Sequence, residues 1–434
     1  MRALSTPFFK TRLGLRFRSV ALVEQLGPGL VTGAADDDPS GIATYSQAGA
    51  QFGYAILWTA VLTYPLMSAI QLVSALIGRV TGCGLAKNMG ETLWRPVVLG
   101  LVALLFIANT INIGADLSAM AASAELVAGT DIHHVFLIGF ALVSLGLQLF
   151  IPYRRYARYL KWLTLSLFSY VAVLMVVKVP WGEALRGMVW PHLDWKAATT
   201  TIVAVFGTTI SPYLFFWQSA QEIEEAAAKG EQPLKKAAPS EAKSELKRLR
   251  FDTFTGMAFS NLIALSIMIA TAATLHAQGK TDIATAADAA QALRPVAGAF
   301  ASLLFSLGVV GTGLLAVPVL AGSAAFAIGE SNGWKCGLEY KPWEAVGFYA
   351  VIGVAVLLGI AFHWVRLDPI KALYWSAVIN GVVAVPIMAA MMVVVSRHRI
   401  MGRFTGKGAL LAFGWAATAV MAAATLAMFA TWGQ

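Results

Sequence analysis

Three aspartates in a row, Asp36-Asp37-Asp38, stand ahead of Pro39-Ser40-Gly41 inside an otherwise apolar stretch. Carboxylates are hard oxygen ligands of the kind that hold magnesium, calcium or manganese. A single charge at the centre of a bilayer costs about 2.5–3.5 kcal/mol on insertion scales, so three adjacent ones need a compensating partner. Proline removes a backbone donor and pushes Asp38 out of the α region, and Gly41 adds freedom. A helix broken there leaves carbonyl oxygens near Ala35 unpaired beside the Asp38 carboxylate. An exposed loop between two spans would also accommodate the aspartates. The flanks 20–35 and 42–52, however, are about 16 and 11 residues, too short for either to cross alone at about 1.5 Å per residue. Gly207-Thr208-Thr209-Ile210-Ser211-Pro212-Tyr213 has the same grammar, with a mid-segment proline, Ser211 before it and hydroxyls one turn earlier. On its own it also fits a proline kink satisfied by threonine hydroxyls. The two segments together describe an oxygen-rich site. Asp38 is its principal metal ligand; Ser211, Thr208, Asn380 and the Ala35 carbonyl are secondary. Asn380 in Ile379-Asn380-Gly381 fits packing beside a small residue equally well. Asn109, Asn112 and Asp116 lie three and four apart on one helix face. They make either a polar pathway or interhelical hydrogen bonds. No thiol or thioether adjoins either break to select a softer metal.

The elements that position these groups must cross a membrane. The chain has 434 residues, of which 58% are hydrophobic and 13% charged, against roughly 25% charged in a soluble domain. Mean hydropathy is +0.69. These values exclude a soluble enzyme, a secreted disulfide scaffold and a disordered chain. The two cysteines, Cys83 and Cys336, imply no disulfide framework. Eleven segments have the length and apolarity of spans: 20–52 (interrupted), 53–78, 97–127, 135–151, 160–178, 197–228 (interrupted), 251–276, 296–329, 344–363, 370–396 and 409–431. The apolar runs are continuous rather than alternating, so the fold is an all-α membrane bundle and not a barrel. With the N-terminus in the cytoplasm, 25 of the 32 Lys and Arg fall on the inner side, as the positive-inside rule requires. The net charge of +9 therefore reports topology and implies no nucleic-acid partner. Glu24 and Gln25 interrupt the first apolar stretch, which argues against a cleaved signal peptide. The expected organisation is a cytoplasmic arm (1–19), a first five-helix repeat (20–178), a second (197–396) carrying a cytoplasmic linker (229–250), and an eleventh helix (409–431). Breaks in spans 1 and 6 place a discontinuous helix first in each half, the pattern of a 5+5 inverted-repeat transporter with its site between the breaks.

The stretch 27–54, GPGLVTGAADDDPSGIATYSQAGAQFGY, resembles the first span of the natural resistance-associated macrophage protein family of divalent-metal transporters. That family carries Asp-Pro-Gly-Asn there, with a similar ending. Gly78-Arg79-Val80-Thr81-Gly82 with Leu85-Ala86, and Pro369-Ile370 with Ala377 and Asn380-Gly381, are similar to further family segments. The resemblance covers most of the chain and implies an eleven-span, LeuT-like architecture. It places the family's metal-binding Asp on Asp38 and its Asn on Gly41. The family's Met-Pro-His becomes Ser211-Pro212-Tyr213, a second histidine falls on Gln218, and Thr208 stands where the family offers a carbonyl. Asp116 matches an acid used in proton passage, whereas Asn109 and Ala119 replace others. The loss of the thioether shifts the implied selectivity toward hard ions bound with some water retained, and the loss of titratable groups puts proton coupling in question. Asp36 and Asp37 are offered as replacement ligands, although adjacent residues cannot all point one way.

The expected function is a secondary carrier of divalent cations, magnesium or manganese favoured, working by alternating access in a bacterial inner membrane. The metal is cargo and the bilayer the surroundings; no cofactor is expected. No nucleophile–base pair or phosphate loop points to an enzyme. The alternative is a sodium- or proton-coupled carrier of a small organic solute on the same fold. The aspartates count against it, because they would repel the carboxylate such a carrier holds at its first break.

Overall fold

A computed structural model describes residues 27–151, 163–190, 193–362 and 368–432; the N-terminal arm and the start of the first span lie outside them. The described chain is helical. The first span comes in two pieces, α1 (Pro28–Asp36) and α2 (Pro39–Phe52). Then follow α3 (Trp58–Thr81), α4 (Arg95–Ala128), α5 (His133–Phe150), α6 (Phe168–Val176) and α7 (Trp181–Val189). The next apolar stretch is also in two pieces, α8 (Trp195–Thr209) and α9 (Pro212–Ala228). After it come α10 (Pro239–Thr274), α11 (Ala301–Ser331), α12 (Val346–Phe362), α13 (Pro369–Ser396) and α14 (Ala409–Thr431). Among the described residues eight helices are long and apolar enough to cross a membrane, α8 and α9 counting as one. The α12 helix is apolar but shorter.

Local chemistry sets these boundaries. Asp38 and Asp368 each precede a proline and cap the helix that follows, accepting from Gly41 N and Ile370 N. Gly82 and Gly129 end α3 and α4 in the left-handed conformation, which glycine adopts without a Cβ penalty. The α10 helix begins at Pro239, inside the stretch expected to be linker, with Glu241 in its first turn, where an acid favours the helix dipole. The α6 and α7 pair turns through 119°. Trp181, Leu185 and Val189, spaced four apart on α7, are all exposed, the amphipathic pattern of a helix lying along a membrane surface.

Two groups of helices surround the breaks. The α4 helix packs against α11, α12 and α13, whereas α10 packs against α1, α2 and α3. The α8–α9 span is the most enclosed, with 94% of its apolar window buried, whereas α5 and α14 bury 22% and 28% and form the rim. Exposed side chains such as Leu142 of α5 and Leu426 of α14 make that rim apolar, as contact with lipid requires. Helices inside the bundle touch through glycine. A Cβ on Gly33 of α1 would run into the backbone of Gly256 on α10, and one on Gly49 of α2 into Met268 and Thr271 of the same helix. Gly207 of α8 meets the backbone of Ala377 and Gly381 on α13 in the same way. Such small-residue crossings let backbones approach where lipid offers no hydrophobic drive.

Candidate functional site

The three aspartates occupy the gap between α1 and α2 and are all buried, at 0%, 2% and 1% exposure for Asp36, Asp37 and Asp38. They point in two directions. Asp38 Oδ1 accepts from Ser40 Oγ and Gly41 N, both at 2.7 Å. Asp38 Oδ2 accepts from Asn112 Nδ2 of α4 at 3.1 Å and from Tyr213 OH of α9 at 3.3 Å. The Tyr213 hydroxyl is also 3.3 Å from the Ala35 carbonyl oxygen. Ser376 of α13 steadies Asn112, its Oγ lying 2.6 Å from Asn112 Oδ1. Three elements, α2, α4 and α9, thus converge on one carboxylate, with α13 behind Asn112. Asp36 and Asp37 instead meet Ser260 of α10, whose Oγ is 2.6 Å from Asp36 Oδ2 and 3.2 Å from Asp37 Oδ1. Their other oxygens have no hydrogen-bond partner among the described residues.

At the second break, Ile210 and Ser211 separate α8 from α9. Ser211 Oγ lies 2.9 Å and 2.8 Å from the Gly207 and Thr208 carbonyl oxygens, so it satisfies acceptors that Pro212 leaves orphaned. Thr208 Oγ1 is 3.4 Å from Ser40 Oγ, and Thr209 Oγ1 is 3.0 Å from Tyr45 OH. The two breaks therefore touch through hydroxyls. Gly41 sits at that crossing, where a Cβ would stand 3.3 Å from Thr208 Oγ1.

Asp38, Ala35, Gly41, Tyr213, Thr208 and Asn112 thus gather around the breaks. Asp116, one turn beyond Asn112, is fully buried, both its oxygens unpartnered among the described residues, within electrostatic reach of Asp38. Asn380 lies one turn after Ser376 and is also buried, with neither amide atom partnered among the described residues. Asn109 turns away to α11, where it donates to the Leu320 carbonyl and Ser323. Gln218 is likewise remote from Asp38, bonded to Thr32 of α1 and to Glu222. Sequence reasoning missed Ser40, Ser260 and Ser376. Ser40 carried a signal, because it follows an Asp-Pro helix start; Ser260 and Ser376 lie inside apolar spans with nothing local to mark them.

The charge balance is one-sided. None of the ion pairs among the described residues reaches Asp36, Asp37, Asp38 or Asp116. The basic groups lie at the other end of α1. There both oxygens of Asp252 on α10 accept from the first amides of α1, Gly27 N and Gly29 N, each at 2.8 Å. Arg248 bonds Glu222 and Glu245, and Arg79 bonds Glu231 and Glu245. No trio of His, Cys, Asp or Glu among the described residues closes on a point that could hold a metal. An ion beside Asp38 would draw its remaining ligands from carbonyls, hydroxyls, amides and water.

A family model described as natural resistance-associated macrophage protein-like matches residues 29–431. A divalent metal cation transporter MntH of Yersinia pestis (strain Pestoides F) is 30% identical over 302 residues, covering 67% of this chain and 68% of that protein. The protein of the same name from Klebsiella pneumoniae subsp. pneumoniae is 26% identical over 410 residues, 91% of each. Among solved structures, a manganese transporter of Eremococcus coleocola superposes with a TM-score of 0.70 at 15% identity, covering 99% of this chain and 89% of that one. A nucleobase-cation-symport-1 family transporter superposes at 0.58 with 12% identity, covering 94% and 92%. These two likenesses are of fold.

Proposed function

The chain belongs to the natural resistance-associated macrophage protein family, and from that premise we propose that it is a secondary carrier of divalent metal cations. The carrier works by alternating access around the two breaks, and it favours hard ions such as magnesium or manganese. The observation that carries this reading is the group of four buried carboxylates, Asp36, Asp37, Asp38 and Asp116, with no basic partner among the described residues. Charges removed from water are stable only when compensated, and a divalent cation supplies that compensation. Asp38 is the proposed first ligand. Ala35 O, Thr208, Ser211 and Asn380 stand as secondary ones, Gly41 and Tyr213 line the same place, and Asp37 faces Ser260 beside it. Oxygen donors without a thioether suit hard ions. The proposed topology has eleven spans arranged as two inverted five-helix repeats plus one, with the N-terminus in the cytoplasm of a bacterial inner membrane. The MntH relatives carry divalent metal cations by name, which agrees with the charge argument. The test is uptake of magnesium and manganese into proteoliposomes. Wild type should transport, and Asp38→Ala should lose transport while still reaching the membrane. Undiminished uptake by that variant overturns the site.

A further inference from the structure

We infer that the cavity enclosed by α7, the turn between α2 and α3 and the C-terminal end of α10 seats the headgroup of a zwitterionic phospholipid of the ethanolamine class. The cavity holds about 450 Å3 and is lined by Lys178, Glu183 and Arg186 together with Tyr54, Trp190 and His276. Small-ligand sites run from roughly 300 to 1,000 Å3. The cavity lies at headgroup depth. Met175 and Val176, at the end of α6, are exposed and apolar, and the chain turns charged at Lys178 just after them. Trp181 and Trp190 flank α7 and are exposed, as is Trp195 at the start of α8. Tryptophans so placed mark the boundary between hydrocarbon and water.

No ion pair among the described residues involves Lys178, Glu183 or Arg186. Glu183 and Arg186 stand one turn apart on α7, a spacing at which opposite charges pair, yet both line the cavity instead. A site with both signs unmatched suits a ligand that carries both. A phosphodiester accepts from Lys178 and Arg186, and the guanidinium fork can hold two of its oxygens. An ethanolamine ammonium donates to the Glu183 carboxylate. A purely anionic headgroup would be repelled by that carboxylate. The acyl chains have a bed below. Ala258, Leu262, Leu265 and Ala273 share one face of α10 and none of them is buried. Ala273 also lines the cavity, so the bed leads into the seat. It runs between α3, where Thr63 Oγ1 lies 3.5 Å from Asn261 Oδ1, and α6, where Phe168 packs edge-on against Phe259 at 5.5 Å. The seat is tied to the first span as well. A Cβ on Gly187 would run into the Tyr54 carbonyl, and His276 Nδ1 donates to the Ala50 carbonyl oxygen at 2.8 Å. A lipid held there braces the end of α2 against α7 and α10.

Native mass spectrometry of the full chain tests this, with detergent micelles titrated by dioleoyl phosphatidylethanolamine or by dioleoyl phosphatidylglycerol. Wild type should bind its first ethanolamine lipid about fivefold more tightly than its first glycerol lipid, the worth of one partly exposed ion pair. Glu183→Gln should lose that preference, and Arg186→Ala should weaken both lipids. Both side chains are exposed, and surface substitutions cost little stability, so the variants fold. Equal affinities in wild type, or a preference for the glycerol lipid, overturn the zwitterionic headgroup. A preference that survives Glu183→Gln, or affinities unmoved by Arg186→Ala, put the lipid elsewhere and overturn the site. No cargo ion enters the experiment, so the carrier reading stands or falls on its own test.

Discussion

Asp38 carries two duties that substitution can separate. It caps α2 through Gly41 N, and it supplies the charge facing Asn112 and Tyr213. Asparagine caps helices about as well as aspartate, whereas alanine loses about 1 kcal/mol of cap. Asp38→Asn should therefore melt close to wild type in detergent and yet lose divalent-ion binding by calorimetry at least a hundredfold. A variant that binds normally would reduce Asp38 to a helix cap. At this scale much was readable in the sequence. The Asp-Pro-Ser-Gly run exposed Asp38 because proline and glycine signal a break whatever surrounds them. Asn112 and Asp116 were readable as one helix face, but not which of them reaches Asp38. Asn109, on the flank of the same face, bonds α11 instead. Ser260 and Ser376 were invisible, since a hydroxyl in an apolar run can satisfy its own helix and so signals nothing about its neighbours.

The elements were legible where proline or a charge marks an edge and obscure elsewhere. Both breaks were readable from Pro39 and Pro212. The α7 helix was not: nine residues between Pro180 and Trp190 read as a loop, because so short an amphipathic segment lacks the apolar run that marks a span. The start of α10 was equally hidden, because a mixed-charge stretch reads as solvated linker although its charges pair at helical spacing, as Glu245 does with Arg248. Glycine positions were visible in sequence but their partners were not, since close approach depends on how two distant spans cross. The contact of Gly207 with Ala377 and Gly381 gives a direct test. Gly207→Ala places a methyl against backbone that cannot rotate away, and such overpacking costs about 1–3 kcal/mol. Its melting temperature in detergent should drop by several degrees, equally with and without magnesium. Wild-type stability would show that α8 and α13 have room between them.

Across the whole molecule, charge is sorted by end. Among the described residues the carboxylates at the break face no base, whereas Arg79 and Arg248 tie α3, α9, α10 and the loop after α9 together at the far end of α1. Burial there raises the Glu245 carboxyl, but hydrogen bonds and charge from Arg248 and Arg79 outweigh it and hold the group below the usual glutamate range. Its folded form prefers the ionised state, so its contribution is present above the ordinary value of 4.5 and is lost as pH falls through the lowered one. Acidification below that value should lower the melting temperature more steeply in wild type than in Glu245→Gln; equal slopes would show that the cluster does not stabilise the fold. The glycine seats on α10 carry a last consequence. Gly33 and Gly49 lie on opposite sides of the fracture in the first span, yet both rest on the same unbroken rod, at Gly256 and Met268, about 18 Å apart along it. That rod splints the fracture. Bending at Asp37 means unseating one half from the splint, so any swing of the first span works against a steric catch between glycines.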